Sequence, residues 1–323
     1  MRKGALLVDL FCGAGGFALG FKKEGFNIAL GLDNDRSAAR TFISNFPGAI
    51  TLVDDVRNVS CDDIRYMLGG RGVDVVIGSP PCEPFTGANP RRRRYPLDRL
   101  YKDPVGTLVL EFVRLTRCLN PKVFVMENVP AILDGELREA LRREFLAAGY
   151  NVFFNILRAE DYGTPSRRVR VFISNIKFRP RRVRRIVKVW EAIGDLPMPS
   201  NDPVIPNHEP PPKLSAKKMK RVQRTRWRES LITYEGARGK QLPNLIRLHP
   251  YSIAPTVLGS SRFIHPFENR LLTVREQARL MGFPDTHVFL GGRDEQYNQV
   301  GEAVPPPLAK AIARDVVLTT GRG

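Results

Sequence analysis

Several features are scarce or missing in this sequence. It contains no apolar run of about 18 residues or more, so it encodes no transmembrane helix. Asp9 interrupts the apolar stretch near the start, and we therefore expect no export signal. Among 323 residues there are only four cysteines, none in a C-x-x-C pair, which argues against a zinc ribbon and a bound metal. The chain shows no internal repeat.

The cysteine content also bears on the compartment. Without an export signal, we expect a cytoplasmic protein whose thiols are reduced. Free cysteine behaves as a small hydrophobic residue, so buried packing is the first interpretation for each of them. The four positions are Cys12, Cys61, Cys82 and Cys118.

Negative charge is in deficit. The sequence has 33 Asp and Glu against 51 Lys and Arg, a formal net charge of +18. Such a charge implies a polyanionic partner, either nucleic acid or an anionic membrane surface. The hydrophobic content of 42% is sufficient for a large core. The length predicts two domains, or one large domain with an insertion.

Short apolar runs alternate with helix-like segments in the first half. The runs cover residues 5–11, 28–32, 73–77, 123–126 and 169–173, and the helix candidates include 107–118 and 135–148. Continuous apolar runs are typical of strands buried on both faces, so the alternation predicts an open, mostly parallel α/β sheet. Polar clusters follow several runs, at the strand ends where ligands bind in such sheets.

The composition changes after about residue 174. Residues 177–228 are rich in Lys, Arg and Pro, and we interpret them as the edge and body of a second, smaller domain. Helical periodicity returns at residues 273–281. A last apolar helix candidate, residues 307–318, is expected to pack back on the first domain.

A glycine-rich segment follows the first apolar run. Gly13, Gly15 and Ala18 fit the G-x-G-x-x-(G/A) pattern, in which glycines allow a tight turn close to a ligand. Asp33 lies 20 residues beyond Gly13, where a carboxylate can bind a ribose diol. The pair predicts a nucleoside-type cofactor. The pattern alone does not separate NAD from S-adenosylmethionine, and an ordinary glycine turn is the alternative.

Cys82 has an unusual context for a structural cysteine. It lies just beyond an apolar run, after two prolines, where a substrate can reach it. A thiol is a good nucleophile when deprotonated, and nearby positive charge lowers its pKa. The loop continues into a basic run whose side chains suit a phosphate backbone, or form a solvated surface: Arg91, Arg92, Arg93 and Arg94.

Ionisable groups also occur at the end of one predicted strand and at the start of another. Glu127 follows an apolar run directly, and a carboxyl group there can have a raised pKa and act on a ring nitrogen. Arg168 and Arg170 alternate with valines, so both face one side of a strand start. They are candidates for contacts to a base, a phosphate or a carboxylate, with a surface charge pair as the alternative.

These segments together resemble motifs of the cytosine-C5 DNA methyltransferase family of the bacterial and archaeal modification type. They occur in the family's order and span nearly the whole chain. The similar segments are Asp9-Leu10-Phe11-Cys12-Gly13-Ala14-Gly15-Gly16, Pro80-Pro81-Cys82, Glu127-Asn128-Val129, Arg168-Val169-Arg170, residues 270–276 with 281–284, and residues 300–305.

The resemblance implies a Rossmann-like methyltransferase domain, residues 1–190 and 298–323, and a target-recognition domain, residues 191–297. It implies S-adenosylmethionine as cofactor, with Asp33 on its ribose, Asp55 on its adenine amine and Leu108 packed on it. The full set of cofactor residues expected by similarity is Phe11, Gly13, Ala14, Gly15, Gly16, Asp33, Asn34, Asp55, Val56, Pro80, Leu108, Glu302 and Ala303.

The resemblance also implies an activity, which is methylation of C5 in a flipped-out cytosine of a specific DNA sequence. Cys82 is then expected to attack C6, Glu127 to act at N3, and Arg170 at O2, with Arg168 in the same catalytic group. The implied partners are double-stranded DNA and a cognate restriction endonuclease, and we expect a monomer. Arginines expected on DNA, at bases or more commonly phosphates, are Arg91–Arg94 together with Arg224, Arg226, Arg228 and Arg262.

The sequence departs from the family pattern at four places. Glu83 replaces the usual Gln after the nucleophile, Ser166 replaces another Gln, and Glu302-Ala303 replaces an Asn-Ser pair. Asn34 stands where many members have a bulkier residue. Three alternatives stay open: a tRNA substrate, because Pro84-Phe85-Thr86 is similar to that branch; an NAD-dependent oxidoreductase; and a nucleic-acid-binding protein that has lost catalysis.

Overall fold

The computed structural model describes residues 4–259 and 262–320. These residues form a seven-stranded sheet with the strand order β3-β2-β1-β4-β5-β7-β6. The strands are β1 (Leu6–Leu10), β2 (Asn27–Asp33), β3 (Ile50–Val53), β4 (Val75–Gly78), β5 (Val123–Asn128), β6 (Phe153–Arg158) and β7 (Val169–Ser174). The first five are parallel, whereas β7 runs antiparallel to both β5 and β6.

Helices cover both faces of this sheet. One face packs against α1 (Gly16–Lys22), α2 (Arg36–Asn45) and α11 (Pro306–Thr320). The other face packs against α3 (Cys61–Met67), α4 (Pro96–Tyr101), α5 (Leu108–Leu119) and α6 (Leu137–Ala147). Alternate residues of each central strand serve the two cores, as Leu7 and Val8 do in β1. Burial on both faces explains the continuous apolar runs of the sequence.

The predicted mostly parallel α/β sheet is confirmed. The five apolar runs correspond to β1, β2, β4, β5 and β7, and the helix candidates correspond to α5, α6 and α11. Two edge or near-edge strands, β3 and β6, were not predicted. Both are only partly buried, so neither has the apolar run that reveals a central strand.

The remaining part of the chain is built around a three-stranded sheet in the order β10-β9-β8. Its strands are β8 (Ser230–Glu235), β9 (Gln241–Arg247) and β10 (Phe263–Ile264), and the helices around it are α7 (Val189–Ile193), α8 (Ala216–Val222), α9 (Val274–Leu280) and α10 (Arg293–Glu302). The domain boundaries given above stay a prediction. Across residues 4–259 and 262–320, no helix is both long and apolar enough for a bilayer.

The expectation of four reduced cysteines is wrong for two of them. Cys61 and Cys118 form a disulfide with their Cα atoms 6.3 Å apart, inside the usual range of about 4.4–6.8 Å. Cys61 begins α3 and Cys118 lies near the end of α5, and both helices pack on the same face of the sheet. Their separation of 57 residues gave no local signal of this contact. Cys12 and Cys82 are free.

Candidate active site

The glycine-rich loop leaves β1 and enters α1 through three left-handed residues. Phe11 has φ 61°, Gly13 φ 52° and Gly15 φ 80°. Such a φ is uncommon for a bulky residue like Phe11, which marks the loop as a constrained segment. The backbone N–H of Gly13 donates to Oδ2 of Asp33 at 2.7 Å. The structure therefore brings together the two elements of the nucleotide-binding pattern.

Open space lies beside this loop, and buried carboxyl groups lie close to it. A Cβ added at Gly13 would meet no described heavy atom within 4 Å, so the space beside the loop is open. Among the described residues, the carboxylate oxygens of Asp9 have no hydrogen-bond partner, although they are buried. Burial and the charge of Asp33 raise the pKa of Asp9 well above its usual value. Burial raises the pKa of Asp33 as well, while its carboxylate lies at the open glycine loop, where it can accept a hydrogen bond from a ribose hydroxyl.

A histidine from a distant part of the chain supports the loop. Nε2 of His287 is 2.9 Å from the carbonyl oxygen of Ala14, to which it donates as the Nε2–H tautomer. Burial lowers the pKa of His287 to about 3, so the imidazole is neutral at physiological pH. The sequence analysis missed His287, and its local sequence contains no signal for this contact.

The other candidate cofactor residues differ in exposure and in their hydrogen-bond partners. Asp55 is already engaged by Arg57, whose Nη2 lies 2.6 Å from its carboxylate, and this interaction lowers the pKa of Asp55. Asn34 is exposed at the end of β2, whereas Val56 is buried. The remaining members, at the start of α1, the start of α5 and the end of α10, are Gly16, Leu108, Glu302 and Ala303.

The loop that follows β4 holds Cys82 in a fixed position. Nδ2 of the buried Asn128 donates to the carbonyl oxygen of Pro80 at 3.0 Å, which ties this loop to the end of β5. The carbonyl oxygen of Cys82 then accepts hydrogen bonds from the N–H groups of Phe85 and Thr86. The sequence analysis quoted Asn128 within a motif but assigned it no role; the structure makes it the residue that joins the Cys82 loop to β5.

The prediction that positive charge lowers the pKa of Cys82 is wrong for the free protein. Burial and the charge of Glu83 raise the pKa of Cys82 to about 11. Arg170 and Arg168 act in the opposite direction, but burial and the nearby carboxylates outweigh them. The thiol is therefore protonated at neutral pH in this state.

Glu127 and Arg170 form a largely buried ion pair. Glu127 lies in β5 and Arg170 in the neighbouring antiparallel β7, with Nε of Arg170 2.8 Å from Oε1 of Glu127. The side chains are 7% and 11% exposed, so a change in either partner leaves a buried charge without its counterion. Both groups are close enough to act on the pKa of Cys82. The three residues therefore share one site.

Arg168 has different partners from Arg170. Its buried guanidinium donates to the carbonyl oxygens of Val257 at 3.0 Å, Gly301 at 2.9 Å and Glu302 at 3.3 Å. Burial and the charge of Arg170 lower its pKa to about 9. Arg168 thus joins the start of β7 to two distant segments, and its catalytic role stays a prediction.

Two departures from the family pattern are electrostatically linked. Partial burial of the Glu302 carboxylate, together with the charge of Glu83, raises the pKa of Glu302 to about 7. Oε1 of Glu302 lies beside Gly259, at 3.2 Å from a Cβ built there. Glu83 is also a main cause of the raised pKa of Cys82. Replacing the usual amides by carboxylates therefore adds groups that can carry negative charge and raises the pKa values of their neighbours.

The predicted DNA-contacting arginines fall into two groups. Arg91, Arg93 and Arg94 are exposed after Cys82, whereas Arg92 donates to the carbonyl oxygen of Phe85. Arg226 and Arg228 border an open depression of about 550 Å³ in the smaller part of the chain, and Arg224 is exposed nearby. Arg262 has its guanidinium 3.9 Å from the Tyr297 ring centre and donates to Gly259 and Asp294.

Comparison with known proteins adds independent information. The model of the C-5 cytosine-specific DNA methylase family matches residues 6–317. The chain is 47% identical over 314 residues to a protein of Methanocaldococcus jannaschii that carries the type II methyltransferase name M.MJ0563P, covering 96% of this chain and 98% of that one. It is 37% identical over 328 residues to type II methyltransferase M1.HphI of Haemophilus parahaemolyticus, covering 96% and 86%.

The fold also matches solved structures. A crystal structure described as a DNA modification methyltransferase encoded within an E. coli prophage aligns with a TM-score of 0.79 and 24% identity, covering 98% of this chain and 100% of that one. The S. pombe Dnmt2 methyltransferase aligns with a TM-score of 0.66 and 16% identity, covering 99% of both chains. At these identities, the two structures support the Rossmann-like fold alone.

Proposed function

Because this chain belongs to the C-5 cytosine-specific DNA methylase family, we propose that it methylates C5 of a flipped-out cytosine in a specific duplex sequence through a covalent bond to Cys82. The observation that carries this proposal is the convergence of three groups at one end of neighbouring strands in the sheet. Cys82 follows β4, and the Glu127–Arg170 pair joins the neighbouring β5 and β7. A nucleophile beside a carboxyl group and a guanidinium suits attack on a pyrimidine ring.

The chemistry begins at C6 of the cytosine. Cys82, which is protonated in the free protein, first gives its thiol proton to solvent water or another base. The resulting thiolate forms a bond to C6, and the electrons of the C5–C6 double bond make C5 nucleophilic while charge builds at N3 and O2. Glu127 takes up a proton when the base enters the site, donates it to N3 and recovers it as the thiolate leaves, while Arg170 stabilises O2 and orients Glu127. A base or a water molecule then accepts the C5 proton, and cleavage of the C6–sulfur bond returns the thiolate.

The methyl group has to come from a donor that the glycine loop can hold. S-adenosylmethionine supplies it to C5 when bound, and Asp33, whose carboxylate lies at the glycine loop, would hold its ribose. The open space beside Gly13 and the aromatic ring of Phe11 suit the nucleoside part. His287 holds the loop at Ala14. The other cofactor residues implied by the resemblance are proposed for the same site.

Access to C5 requires that the cytosine leaves the stacked duplex, at a cost of a few kcal/mol. We propose that the exposed arginines on both parts of the chain contact phosphates and offset this cost. Double-stranded DNA is then the substrate, and a restriction endonuclease with the same site is the functional partner. A monomeric, cytoplasmic enzyme is part of the same proposal.

Transfer of tritiated methyl groups from S-adenosylmethionine onto duplex DNA and onto tRNA tests this function. We expect transfer to DNA, no transfer by Cys82→Ser, and DNA binding by that variant close to the wild type. A duplex with 5-fluorocytosine at the target should trap a covalent adduct, because fluorine replaces the proton that must leave. Preferred transfer to tRNA, or full activity of Cys82→Ser, would overturn the proposal. Bisulfite sequencing of modified DNA would identify the target sequence.

A further inference from the structure

A cavity lined by arginines lies beside the loop that carries Cys82. It has a volume of about 390 Å³, many times the ~30 Å³ that one water molecule occupies in the liquid. Five guanidinium side chains contribute to its wall, together with Pro90 and Ala237. They are Arg92, Arg93, Arg94, Arg99 and Arg238. Five positive charges around one space repel each other, and an anion among them would offset this repulsion.

The buried member of this group is Arg99, in α4. Its side chain is 3% exposed, and its Nε and Nη2 donate to the carbonyl oxygens of Arg93 and Arg94. Nη1 is buried and has no hydrogen-bond partner among the described residues; its nearest carboxylate, on Asp134, is 3.8 Å away. Burial and the charge of Arg92 lower the pKa of Arg99. A buried donor without a protein acceptor is costly, so Nη1 of Arg99 is placed to donate to an anion in the cavity.

The carboxylates near the cavity leave its charge uncompensated. Asp134 is shared between Arg92 at 3.7 Å and Arg99 at 3.8 Å, and Asp103 lies 3.6 Å from Arg93. All three distances exceed that of a hydrogen-bonded ion pair. Two distant carboxylates for five guanidinium groups leave a strongly positive space.

The cavity is built by two separate parts of the chain. Arg238 belongs to the turn between β8 and β9, at φ 61°, whereas the other four arginines follow Cys82. The N–H of Ala237 donates to the carbonyl oxygen of Gly87 at 2.8 Å, which fixes the turn against the Cys82 loop. A ligand here therefore contacts both parts at once.

We propose that this cavity binds one phosphate of the DNA backbone and that Arg99 and Arg238 hold it from opposite parts of the chain. The proposal rests on the proposed function and deepens it, because this phosphate brings the β8–β9 turn and the Cys82 loop together around the substrate. Planar guanidinium groups match phosphate geometry with paired hydrogen bonds. A free inorganic phosphate has the same chemistry, so the experiment must separate the two sources.

The test measures the DNA affinity of the full chain against salt concentration, using two duplexes of unrelated sequence. Arg238→Gln should weaken binding to both duplexes equally and reduce the slope of log affinity against log salt by about one. The matched control is Arg117→Gln, an exposed arginine in α5 that does not line the cavity. Arg94→Gln should reduce the slope too. The double variant, Arg238→Gln with Arg94→Gln, should lose less binding free energy than the sum of the two single losses.

Three outcomes are decisive. Equal slopes for Arg238→Gln and Arg117→Gln would overturn the proposal. A second result would also overturn it. In that case inorganic phosphate protects the wild type, but not Arg238→Gln, from thermal unfolding, while Arg238→Gln binds DNA as tightly as the wild type. The cavity would then bind a free anion and not the DNA backbone. Methyl transfer is measured separately: a protein that binds DNA through Arg238 but transfers no methyl group would refute the proposed function and retain the phosphate site.

Discussion

Arg170 and Glu127 lie on neighbouring antiparallel strands, and Nε of Arg170 is 2.8 Å from Oε1 of Glu127. They are diagonal rather than directly opposite, because Glu127 pairs with Phe172 in the sheet register. Such diagonal positions are within reach of a long side chain. The pairing of β5 with β7 therefore sets the orientation of the Glu127 carboxyl group.

Removing the guanidinium should separate its orienting role from cofactor binding. We expect Arg170→Gln to lower the rate of methyl transfer by about 100-fold, as for loss of one donor that stabilises developing charge. Arg170→Lys keeps the charge and should recover part of the rate. Single-turnover transfer gives the rate, and calorimetric titration with S-adenosylmethionine should give an unchanged affinity. Arg143→Gln, exposed in α6, is the control for charge loss. A normal rate in Arg170→Gln would show that Glu127 needs no such partner.

Glu83 should restrain the reactivity of Cys82. Since the pKa of Cys82 is raised to about 11, the thiolate fraction is low at neutrality and reaches one half only near that value. Glu83→Gln removes a negative charge that favours the thiol, so the pKa should fall and alkylation should begin at lower pH. The rate of iodoacetamide modification at Cys82, followed by mass spectrometry from pH 7 to 11, measures this.

Buried Cys12 serves as the internal control in the same samples, because burial raises its pKa well above the usual value and restricts access. Identical pH profiles for Glu83→Gln and the wild type would contradict the proposed influence of Glu83.

His287 should matter for cofactor affinity although it lies far from Asp33 in sequence. His287→Phe keeps an aromatic ring but removes the donor to the Ala14 carbonyl, so we expect S-adenosylmethionine to bind about 10-fold more weakly. The imidazole is neutral because its pKa is lowered to about 3, so this loss should be the same at pH 6 and pH 8. Calorimetry at both pH values measures it, with His249→Phe, in the smaller part of the chain, as control. An affinity loss that appears only at one pH would show that a charged imidazole is involved.

The disulfide should contribute to stability. Cys61 and Cys118 close a loop of 57 residues, and the chain-entropy relation gives about 4 kcal/mol for a loop of this length. We expect a phosphine reductant, or Cys61→Ala with Cys118→Ala, to lower the urea midpoint of the α/β unit. Cys82→Ser should not change this midpoint. Equal midpoints with and without the reductant would show that the bond does not limit unfolding.

The sequence was most informative where burial and chemistry act locally. Residues 73–77 and 123–126 could be predicted as strands because burial on both faces requires a continuous apolar run. Cys82 and Glu127 could be selected because a polar group follows each run directly. The antiparallel direction of β7 had no such signal, and neither did the contact between Cys61 and Cys118. These depend on how segments far apart in the chain pack together.

The same distinction holds within the candidate site. Arg168 and Arg170 are both arginines in almost the same sequence context. Arg170 nevertheless pairs with Glu127, whereas Arg168 donates to three backbone carbonyl oxygens. Their different partners come from β5 and from residues 257–302. Likewise, the raised pKa of Cys82 results from burial and from Glu83, which outweigh the arginines that the local sequence emphasised.

The three hydrogen bonds of Arg168 have a consequence for engineering. They connect the start of β7 to Val257 and to residues 301–302 at the end of α10, on either side of the segment that contains α9. A chimera that takes residues 191–297 from a relative with another target must therefore preserve the backbone at position 257. If a graft shifts that carbonyl, Arg168 loses one of its three buried acceptors, and the grafted segment is then anchored to the sheet only through residues 301–302.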